Sequence, residues 1–272
     1  MADLYCEYFG LDASPFNITP DPRFLYLSHR HLEAYNHLVF GIEQRKGFIQ
    51  LTGEVGCGKS TLCRAMLEQL GEKYKTALIL NPCLSDVDLI RAICQEFGLD
   101  APAGDKVAGL NILNKYLLEQ VAEGFEVVLI IDEAQDLTFD LLEQVRLLSN
   151  LETDDRKLLQ IVLMGQPELK EKLDDKRVRQ LRQRITVRYH LEPLDKGETA
   201  EYVGHRLKTA GANGTPRFTG GAIGKVQRYS KGIPRLINAV CDKALLAGFV
   251  AERGEIGRRE VGRAIRELEG EH

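Results

Sequence analysis

The stretch Gly53-Glu54-Val55-Gly56-Cys57-Gly58-Lys59-Ser60 matches a phosphate-binding loop in full: a glycine, four residues of any kind, then Gly-Lys and Ser or Thr. An apolar stretch at residues 47–52 precedes it and is typical of a short buried strand, and residues 61–67 open a helix. Strand, glycine-rich turn and helix is the order in which such a loop works. We therefore expect this run to bind a nucleoside triphosphate.

Each residue type in this loop, residues 53–60, has a physical role in holding phosphate. Glycines let the backbone curl so that successive N–H groups point at phosphate oxygens, and the positive end of the following helix favours the same anion. Lys59 is expected to reach the β- and γ-phosphates, and the Ser60 hydroxyl to ligate Mg²⁺. The residues predicted to bind the nucleotide are Gly53, Glu54, Val55, Gly56, Cys57, Gly58, Lys59, Ser60 and Thr61.

Composition is that of a globular protein, with 28% charged and 44% hydrophobic residues among 272. No apolar run approaches the roughly 20 residues that span a bilayer, and the acidic N-terminus does not resemble a signal peptide. We expect a cytoplasmic protein, with recruitment to the inner face of the membrane by a partner as a further option. The net charge of -4 argues against a uniformly basic nucleic-acid surface.

The six cysteines are scattered, without a Cys-x-x-Cys pair or a histidine at metal-ligand spacing, and are expected to be reduced thiols. Cys57 lies inside the phosphate loop, where a lysine and a helix N-terminus can lower a thiol pKa. The plainer interpretation is a small residue tolerated at a variable loop position. A reactive thiol and an inert one both stay open at this point.

Strand-like and helix-like patterns alternate beyond the loop, which predicts a parallel sheet covered by helices. The predicted strands are residues 47–52, 76–81, 126–131, 157–164 and 185–191. After Pro193 only helical patterns remain, at residues 195–210, 219–230, 234–251 and 258–268. The predicted fold class is α/β: a P-loop NTPase with a five-stranded parallel sheet and flanking helices, followed by a small all-helical lid domain.

Two adjacent acids follow the most apolar of these strands. Residues 126–131 run directly into Asp132 and Glu133, at the strand end where α/β sheets bind ligands. Asp132 is expected to hold Mg²⁺, and Glu133 to orient and polarise the attacking water. The alternative is that two acids simply begin a loop. An acidic base candidate favours hydrolysis, and the absence of an Asn-Lys-x-Asp motif favours ATP over GTP.

One strand separates the phosphate loop from the Asp-Glu strand, which marks the additional-strand class of ATPases. In that class a polar residue after the next strand senses the γ-phosphate, and here that strand ends with Gln166. The alternative role for Gln166 is helix capping.

Two further elements contain arginines suited to a triphosphate. Arg182 and Arg184 precede the last strand, where oligomeric ATPases present an arginine to a neighbouring subunit's ATP; Arg184 is the stronger candidate. Mixed charge in this region is equally typical of a solvated face. In Gly232-Ile233-Pro234-Arg235, proline begins a helix, and Arg235 is expected to fold onto the γ-phosphate from the lid.

These elements together resemble an AAA+ ATPase. The segments at residues 8–11, 15–16 and 19–28, with Asp132-Glu133-Ala134-Gln135 and residues 165–169, more narrowly resemble the ExeA/general secretion pathway protein A family, over nearly the whole chain. The resemblance implies a role in placing a secretion apparatus, and residues near Pro20 to Tyr26 approaching adenine. Members of this family continue into a transmembrane helix and a peptidoglycan-binding domain; the sequence ends at His272, so we expect a stand-alone relative or a truncated form.

The open alternative is a DNA-binding AAA+ regulator of the transposition type. A helicase of the DEAD-like class is disfavoured because the sequence has no matching Ser-Ala-Thr motif or second motor domain, and an ATP-binding switch with little turnover is disfavoured because Glu133 is intact. The main prediction is a Mg-ATP-hydrolysing AAA+ protein that changes conformation within a homo-oligomer, ring or filament, and serves assembly of a secretion or export apparatus in the bacterial envelope. Its expected organisation is an N-terminal segment packing on the nucleotide site at residues 1–46, an AAA+ core at 47–192 and a lid at 193–272.

Overall fold

A computed structural model of the chain describes residues 2–19, 21–82, 85–152 and 156–270, except for the side chains of residues 2 and 3. These residues form two compact units. The first takes in the described residues within 1–32, 54–61 and 192–272, and the second those within 33–53 and 62–191. The domain boundaries expected at residues 46 and 192 stay predictions.

Helices and strands follow one another along the chain through the second unit. In chain order, beginning with the first unit's α1, the elements are α1 Ala2–Phe9, α2 His29–Glu43, β1 Phe48–Gly53, α3 Lys59–Leu70, β2 Tyr74–Ile79, α4 Asp86–Glu96, α5 Lys106–Ala122, β3 Glu126–Ile131, α6 Phe139–Leu148, β4 Gln160–Gly165, α7 Pro167–Asp174, α8 Arg179–Arg184 and β5 Ile185–Leu191.

The sheet of the second unit has five parallel strands in the order β2-β3-β4-β1-β5. Strands β1, β3 and β4 are buried along their entire length. Continuous burial explains their unbroken apolar sequence, because helices cover both faces of a parallel sheet. The predicted fold class is confirmed.

This strand order determines which turns are neighbours. Since all five strands are parallel, their carboxyl ends share one edge of the sheet. Strand β4 lies between β3 and β1. Strand β3 ends just before Asp132, and β1 leads into the phosphate loop. The residue after β4 therefore follows a strand that has both of these strands as neighbours. The order along the chain does not reveal this arrangement.

Gly53 ends β1 at a point where a side chain has no room. A Cβ built on it would lie 2.6 Å from the carbonyl oxygen of Leu191 at the end of β5. The first glycine of the motif is therefore required by the close approach of two strand ends, before any ligand is considered.

The first unit is helical and has its own apolar core, to which α1 contributes Tyr5 and Phe9. Its remaining elements are α9 Lys196–Thr209, β6 Arg217–Phe218, α10 Gly220–Ser230, α11 Pro234–Val250, β7 Glu255–Ile256 and α12 Arg258–Leu268. Helix α9 begins with a capping box, in which the Asp195 carboxylate accepts from the Glu198 N–H and the Glu198 carboxylate accepts from the Asp195 N–H. The four helices after Pro193 begin and end within a residue or two of their predicted bounds.

The sequence pattern contains no convincing strand after Pro193, yet β6 and β7 form a two-stranded parallel pair. Each strand has two residues, too few for any alternation of polar and apolar positions. In the second unit, β4 begins at Gln160 and not at residue 157, because Lys157 makes an isolated antiparallel bridge with Glu152. No helix in the described ranges is long and apolar enough to cross a lipid bilayer.

Candidate functional site: a phosphate loop and an acidic turn

The phosphate loop connects the end of β1 to the first turn of α3. Gly56 and Gly58 have φ of +79° and +97°, the left-handed region in which glycine is favoured. Helix α3 begins at Lys59, so the loop leads directly into a helix N-terminus, the positive end of the helix dipole. The local conformation is the one that the sequence predicts for anion binding.

Burial of the loop residues differs along the run. Glu54 and Val55 are exposed; Gly56, Gly58, Ser60 and Thr61 are partly exposed; Gly53, Cys57 and Lys59 are buried. The Lys59 ammonium donates to the Glu54 carbonyl oxygen at 3.0 Å. This bond folds the lysine side chain back over its own loop, at the place where a bound phosphate would compete for it.

Cys57 is not an activated thiol. Its side chain is 1% exposed, and burial raises its pKa to about 11 despite the nearby Lys59 ammonium. A thiolate needs solvation or compensating charge, and desolvation outweighs the lysine here. The reactive interpretation of this cysteine was wrong, and the small buried residue remains.

Arg235 contacts the phosphate loop within the first unit. Its main-chain N–H donates to the Gly56 carbonyl oxygen at 3.3 Å. A Cβ built on Gly56 would lie 2.6 Å from the Cβ and 3.3 Å from the Cδ of Arg235, so this side chain runs alongside the loop. The side chain itself is exposed, which leaves the guanidinium accessible to a ligand.

The local sequence explains the placement of Arg235. Gly232 has a φ of +83°, and a Cβ there would lie 1.9 Å from the Leu194 carbonyl oxygen, so no other residue fits without rearrangement. Pro234 then starts α11 at a position where its missing N–H costs nothing. Arg235 is consequently in the first turn of the helix, next to the loop.

The acidic turn, residues 132–136, follows β3 in the second unit. Asp132 is 4% exposed, and its Oδ1 accepts the N–H of Glu133 at 2.9 Å. Glu133 has φ +49° and ψ +38°, a left-handed conformation that costs a side-chain-bearing residue on the order of 1 kcal/mol. Strain of this kind in a ligand-binding edge is typical of a functional position.

Two glutamine amides hold the Glu133 carboxylate. Gln135 Nε2 donates to Glu133 Oε2 at 2.7 Å, and Gln166 Nε2 donates to the same oxygen at 3.1 Å. The Gln166 N–H also donates to Gln135 Oε1 at 3.0 Å, which closes the network. Among the described residues no donor reaches Glu133 Oε1. The hydrogen bonds on Oε2 therefore set the direction of Oε1, which itself accepts none of them.

Gln166 occupies the N-cap position of α7, yet its side chain makes no capping hydrogen bond. Its amide reaches the acidic turn, so capping does not explain the side-chain position. Gln135 is a residue that the sequence analysis did not select for the site. The sequence signal was its position three residues after Asp132, but only the fold brings its amide onto Glu133.

The two arginines before β5 both have partners within their own chain. Arg184 Nη1 donates to the Ser149 hydroxyl at 2.5 Å, and Arg182 forms an ion pair with Asp174 at 3.3 Å. Arg182 is the more exposed of the two. A single chain has no neighbouring subunit against which to test them, so their role in a second subunit's site stays a prediction.

Mg²⁺ suits the residue types that are available. In the described part of the chain no group of three or more His, Cys, Asp and Glu side chains is arranged as a metal site. Mg²⁺ on a nucleotide needs only one or two protein oxygens, because phosphates and water complete its octahedron. One buried carboxylate, Asp132, and one hydroxyl, Ser60, match that chemistry in type.

Comparisons with known proteins agree with this geometry. Residues 42–173 match a family model described as an AAA domain. The chain is 48% identical over 271 residues to general secretion pathway protein A of Aeromonas hydrophila; the match covers 98% of this chain and 49% of that protein. The chain thus spans about half the length of this relative.

Solved structures show the same fold at low identity. Cdc6p from Pyrobaculum aerophilum superposes with a TM-score of 0.73 at 18% identity, covering 94% of this chain and 70% of that one. The ADP form of the Aeropyrum pernix ORC2 protein gives 0.67 at 15%, covering 93% and 72%. The chain therefore contains an AAA domain in a P-loop fold of the AAA+ type, and over nearly its whole length it is similar to general secretion pathway protein A.

Proposed function

We propose that this chain binds ATP with Mg²⁺ and hydrolyses it to ADP and phosphate, and that the resulting conformational change in a homo-oligomer serves assembly of a secretion or export apparatus in the bacterial envelope. The observation that carries the proposal is the held carboxylate of Glu133. A general base must present one oxygen in a defined direction. Because two amides donate to Glu133 Oε2, the orientation of the carboxylate is fixed and Oε1 is left to accept a proton.

The remaining roles follow from the site's chemistry. The phosphate loop binds the phosphate chain through its N–H groups and Lys59, while Ser60 and Asp132 hold Mg²⁺, which when bound offsets phosphate charge. Strand order supports this combination, because β1, β3 and β4 end at one edge and the loop is covalently continuous with β1. Gln166 and Arg235 would sense the γ-phosphate, from the edge of the sheet and from the lid.

Sequence similarity supports the secretion role. The Aeromonas relative is named as a protein of the general secretion pathway, and nearly all of this chain aligns with it. We propose a cytoplasmic ATPase that a partner recruits to the inner face of the membrane, with an N-terminal segment, core and lid divided at residues 46 and 192. The DNA-binding alternative is not favoured, since the Cdc6p and ORC2 structures are similar at identities that indicate the fold alone.

Phosphate release tests the proposal directly. Wild-type protein with Mg-ATP should release phosphate, and Lys59→Ala should neither bind ATP tightly nor release phosphate. The assay is repeated with double-stranded DNA at two salt concentrations, because binding to phosphate backbones weakens steeply with salt. No turnover by the wild type would contradict the ATPase, and strong salt-sensitive stimulation by DNA would contradict the envelope role.

A further inference from the structure

A buried histidine that is not among the predicted nucleotide-binding residues is hydrogen-bonded to the phosphate loop. His31 lies in the first turn of α2 and is 6% exposed. Its Nε2 is 2.9 Å from the carbonyl oxygen of Cys57, in the middle of the loop. Its Nδ1 is 2.9 Å from the hydroxyl of Ser28, which is 1% exposed.

The partners determine the protonation of the ring. A carbonyl oxygen only accepts, so Nε2 must carry a proton, and in the neutral ring Nδ1 must then accept from the Ser28 hydroxyl. The same hydroxyl oxygen accepts the His31 N–H at 3.4 Å. Burial lowers the pKa of His31, which keeps the ring neutral near pH 7. Ser28 therefore selects the tautomer that donates to the loop.

The bond to Cys57 has a defined effect on the neighbouring N–H. In a planar trans peptide the C=O of one residue and the N–H of the next point in opposite directions. Holding the Cys57 carbonyl toward His31 therefore turns the Gly58 N–H away from it. Gly58 precedes Lys59, and its N–H is one of the donors that a phosphate loop offers.

Two other loop carbonyls accept hydrogen bonds from residues of the predicted site itself. Glu54 O accepts from Lys59 Nζ and from the Cys57 N–H, and Gly56 O accepts from the Arg235 N–H. A bound nucleotide competes for Lys59 and is expected to engage Arg235. His31 is a donor that a nucleotide need not disturb, so its bond can persist through the cycle.

His31 packs so closely against Gly58 that this loop position favours glycine. A Cβ built on Gly58 would lie 3.1 Å from His31 Nε2, tighter than ordinary contact. The φ of +97° at Gly58 disfavours a side chain independently. The ring thus contacts the face of Gly58 that a larger residue would occupy.

We propose that His31, oriented by Ser28, is a positioning residue of the nucleotide site: its Nε2–H holds the Cys57 carbonyl so that the Gly58 N–H stays directed for the β-phosphate. The inference rests on the proposed function, since it assumes that the loop binds a nucleotide. His31 acts on the loop backbone and touches no reacting atom. Its removal should weaken binding more than it slows chemistry.

The test compares His31→Leu, which fills the space without a donor, with His31→Gln, whose amide N–H can reach the same carbonyl. Mg-ADP is the probe in isothermal titration calorimetry, because it contains the β-phosphate and is not hydrolysed. His31→Leu should raise the Kd for ADP about 3- to 10-fold, the usual range for one lost hydrogen bond. His31→Gln should stay within about twofold of wild type, and so should the control His29→Leu, which changes an exposed histidine in the same turn.

Kinetics separate positioning from general damage. For His31→Leu the KM for ATP should rise by the same factor as the Kd, while kcat at saturating ATP stays within about twofold. If His31→Leu shows no cooperative thermal unfolding, Ser28→Ala carries the test. It keeps the ring but removes the hydroxyl that selects the tautomer, and should raise the Kd about two- to fivefold.

Two results would overturn the positioning role: a wild-type Kd in a folded His31→Leu or Ser28→Ala protein, or a His31→Gln protein that binds as weakly as His31→Leu. Failure of the proposed function is distinct, because wild-type protein would then bind no nucleotide. That result would remove the basis of both proposals.

Discussion

Gln166 Nε2 donates to Glu133 Oε2 across 3.1 Å, although the two residues are 33 positions apart in the chain. The bond joins the turn after β3 to the turn after β4, two adjacent parallel strands. Because the amide holds the carboxylate, any force that moves Gln166 also moves Glu133. A ligand that attracts the Gln166 amide would therefore change the base that is expected to activate water.

Glu133→Gln should bind ATP with nearly wild-type affinity and lose hydrolysis. The amide retains the side-chain shape but cannot accept the proton of an attacking water, and such losses are about 10²- to 10⁴-fold in kcat. Phosphate release at saturating ATP measures the loss, and calorimetry measures binding. The control is Glu168→Gln, which changes an exposed acid in the first turn of α7. A Glu133→Gln enzyme with wild-type turnover would show that water activation lies elsewhere.

Gln166→Ala should lower kcat more than it raises the KM for ATP. It removes one of two amides from Glu133 Oε2 and, with it, the coupling between the two strand ends, for which about a tenfold loss is expected. Gln180→Ala, an exposed glutamine of α8, serves as the control. Equal kcat in Gln166→Ala and wild type would contradict both the γ-phosphate sensor role of Gln166 and its coupling to Glu133.

Arg235→Ala should weaken ATP binding more than ADP binding. The Arg235 side chain runs beside Gly56 and the residue is exposed, so we expect its guanidinium to reach a third phosphate. One charge-assisted hydrogen bond contributes about 1.5–3 kcal/mol, or roughly 10- to 150-fold in Kd. Competition binding with both nucleotides measures the difference, and Arg259→Ala, an exposed lid arginine, is the control. An equal effect on ATP and ADP would exclude γ-phosphate sensing.

Arg184→Ala should lose ATPase activity that mixing with a second inactive variant partly restores. Lys59→Ala subunits bind no nucleotide but keep Arg184, so a mixed oligomer would contain some complete sites. Arg182→Ala is tested in parallel, and phosphate release is measured against the mixing ratio. Ser149→Ala is the matched control, because it removes the intrachain partner of Arg184 and leaves the arginine. If Ser149→Ala reproduces the loss, Arg184 acts within its own subunit.

Lower pH should destabilise the wild type more than His31→Gln. Burial lowers the pKa of His31 from its ordinary 6.5, and the Cys57 carbonyl and the Glu198 carboxylate only partly oppose this. Below pH 6.5 the unfolded chain therefore binds a proton at His31 that the folded chain does not bind. The free energy of unfolding consequently decreases as pH falls. Urea unfolding between about pH 7.5 and 5.5 would measure the free energy of unfolding. Identical pH slopes in the two proteins would contradict a neutral buried ring.

The parts of the site that follow one another in the chain were predictable. The phosphate loop with its glycines and the Asp-Glu pair are local patterns beside strands with strong apolar signals. As expected, the loop follows β1 and the acids follow β3. Contacts between distant segments were not predictable. His31 contacts the loop from 26 residues away, and no periodicity marks a histidine whose partner is a main-chain carbonyl.

The sequence by itself determined the fold class, the nucleotide loop and the acids after β3, because these depend on residue type and short spacing. Only the tertiary structure decided which turns are neighbours, since strand order and the burial of side chains depend on packing between remote segments. It placed two amides on Glu133, Arg235 beside Gly56 and His31 on Cys57. It also made Cys57 an inert thiol, because burial, and not its position in the sequence, sets its pKa.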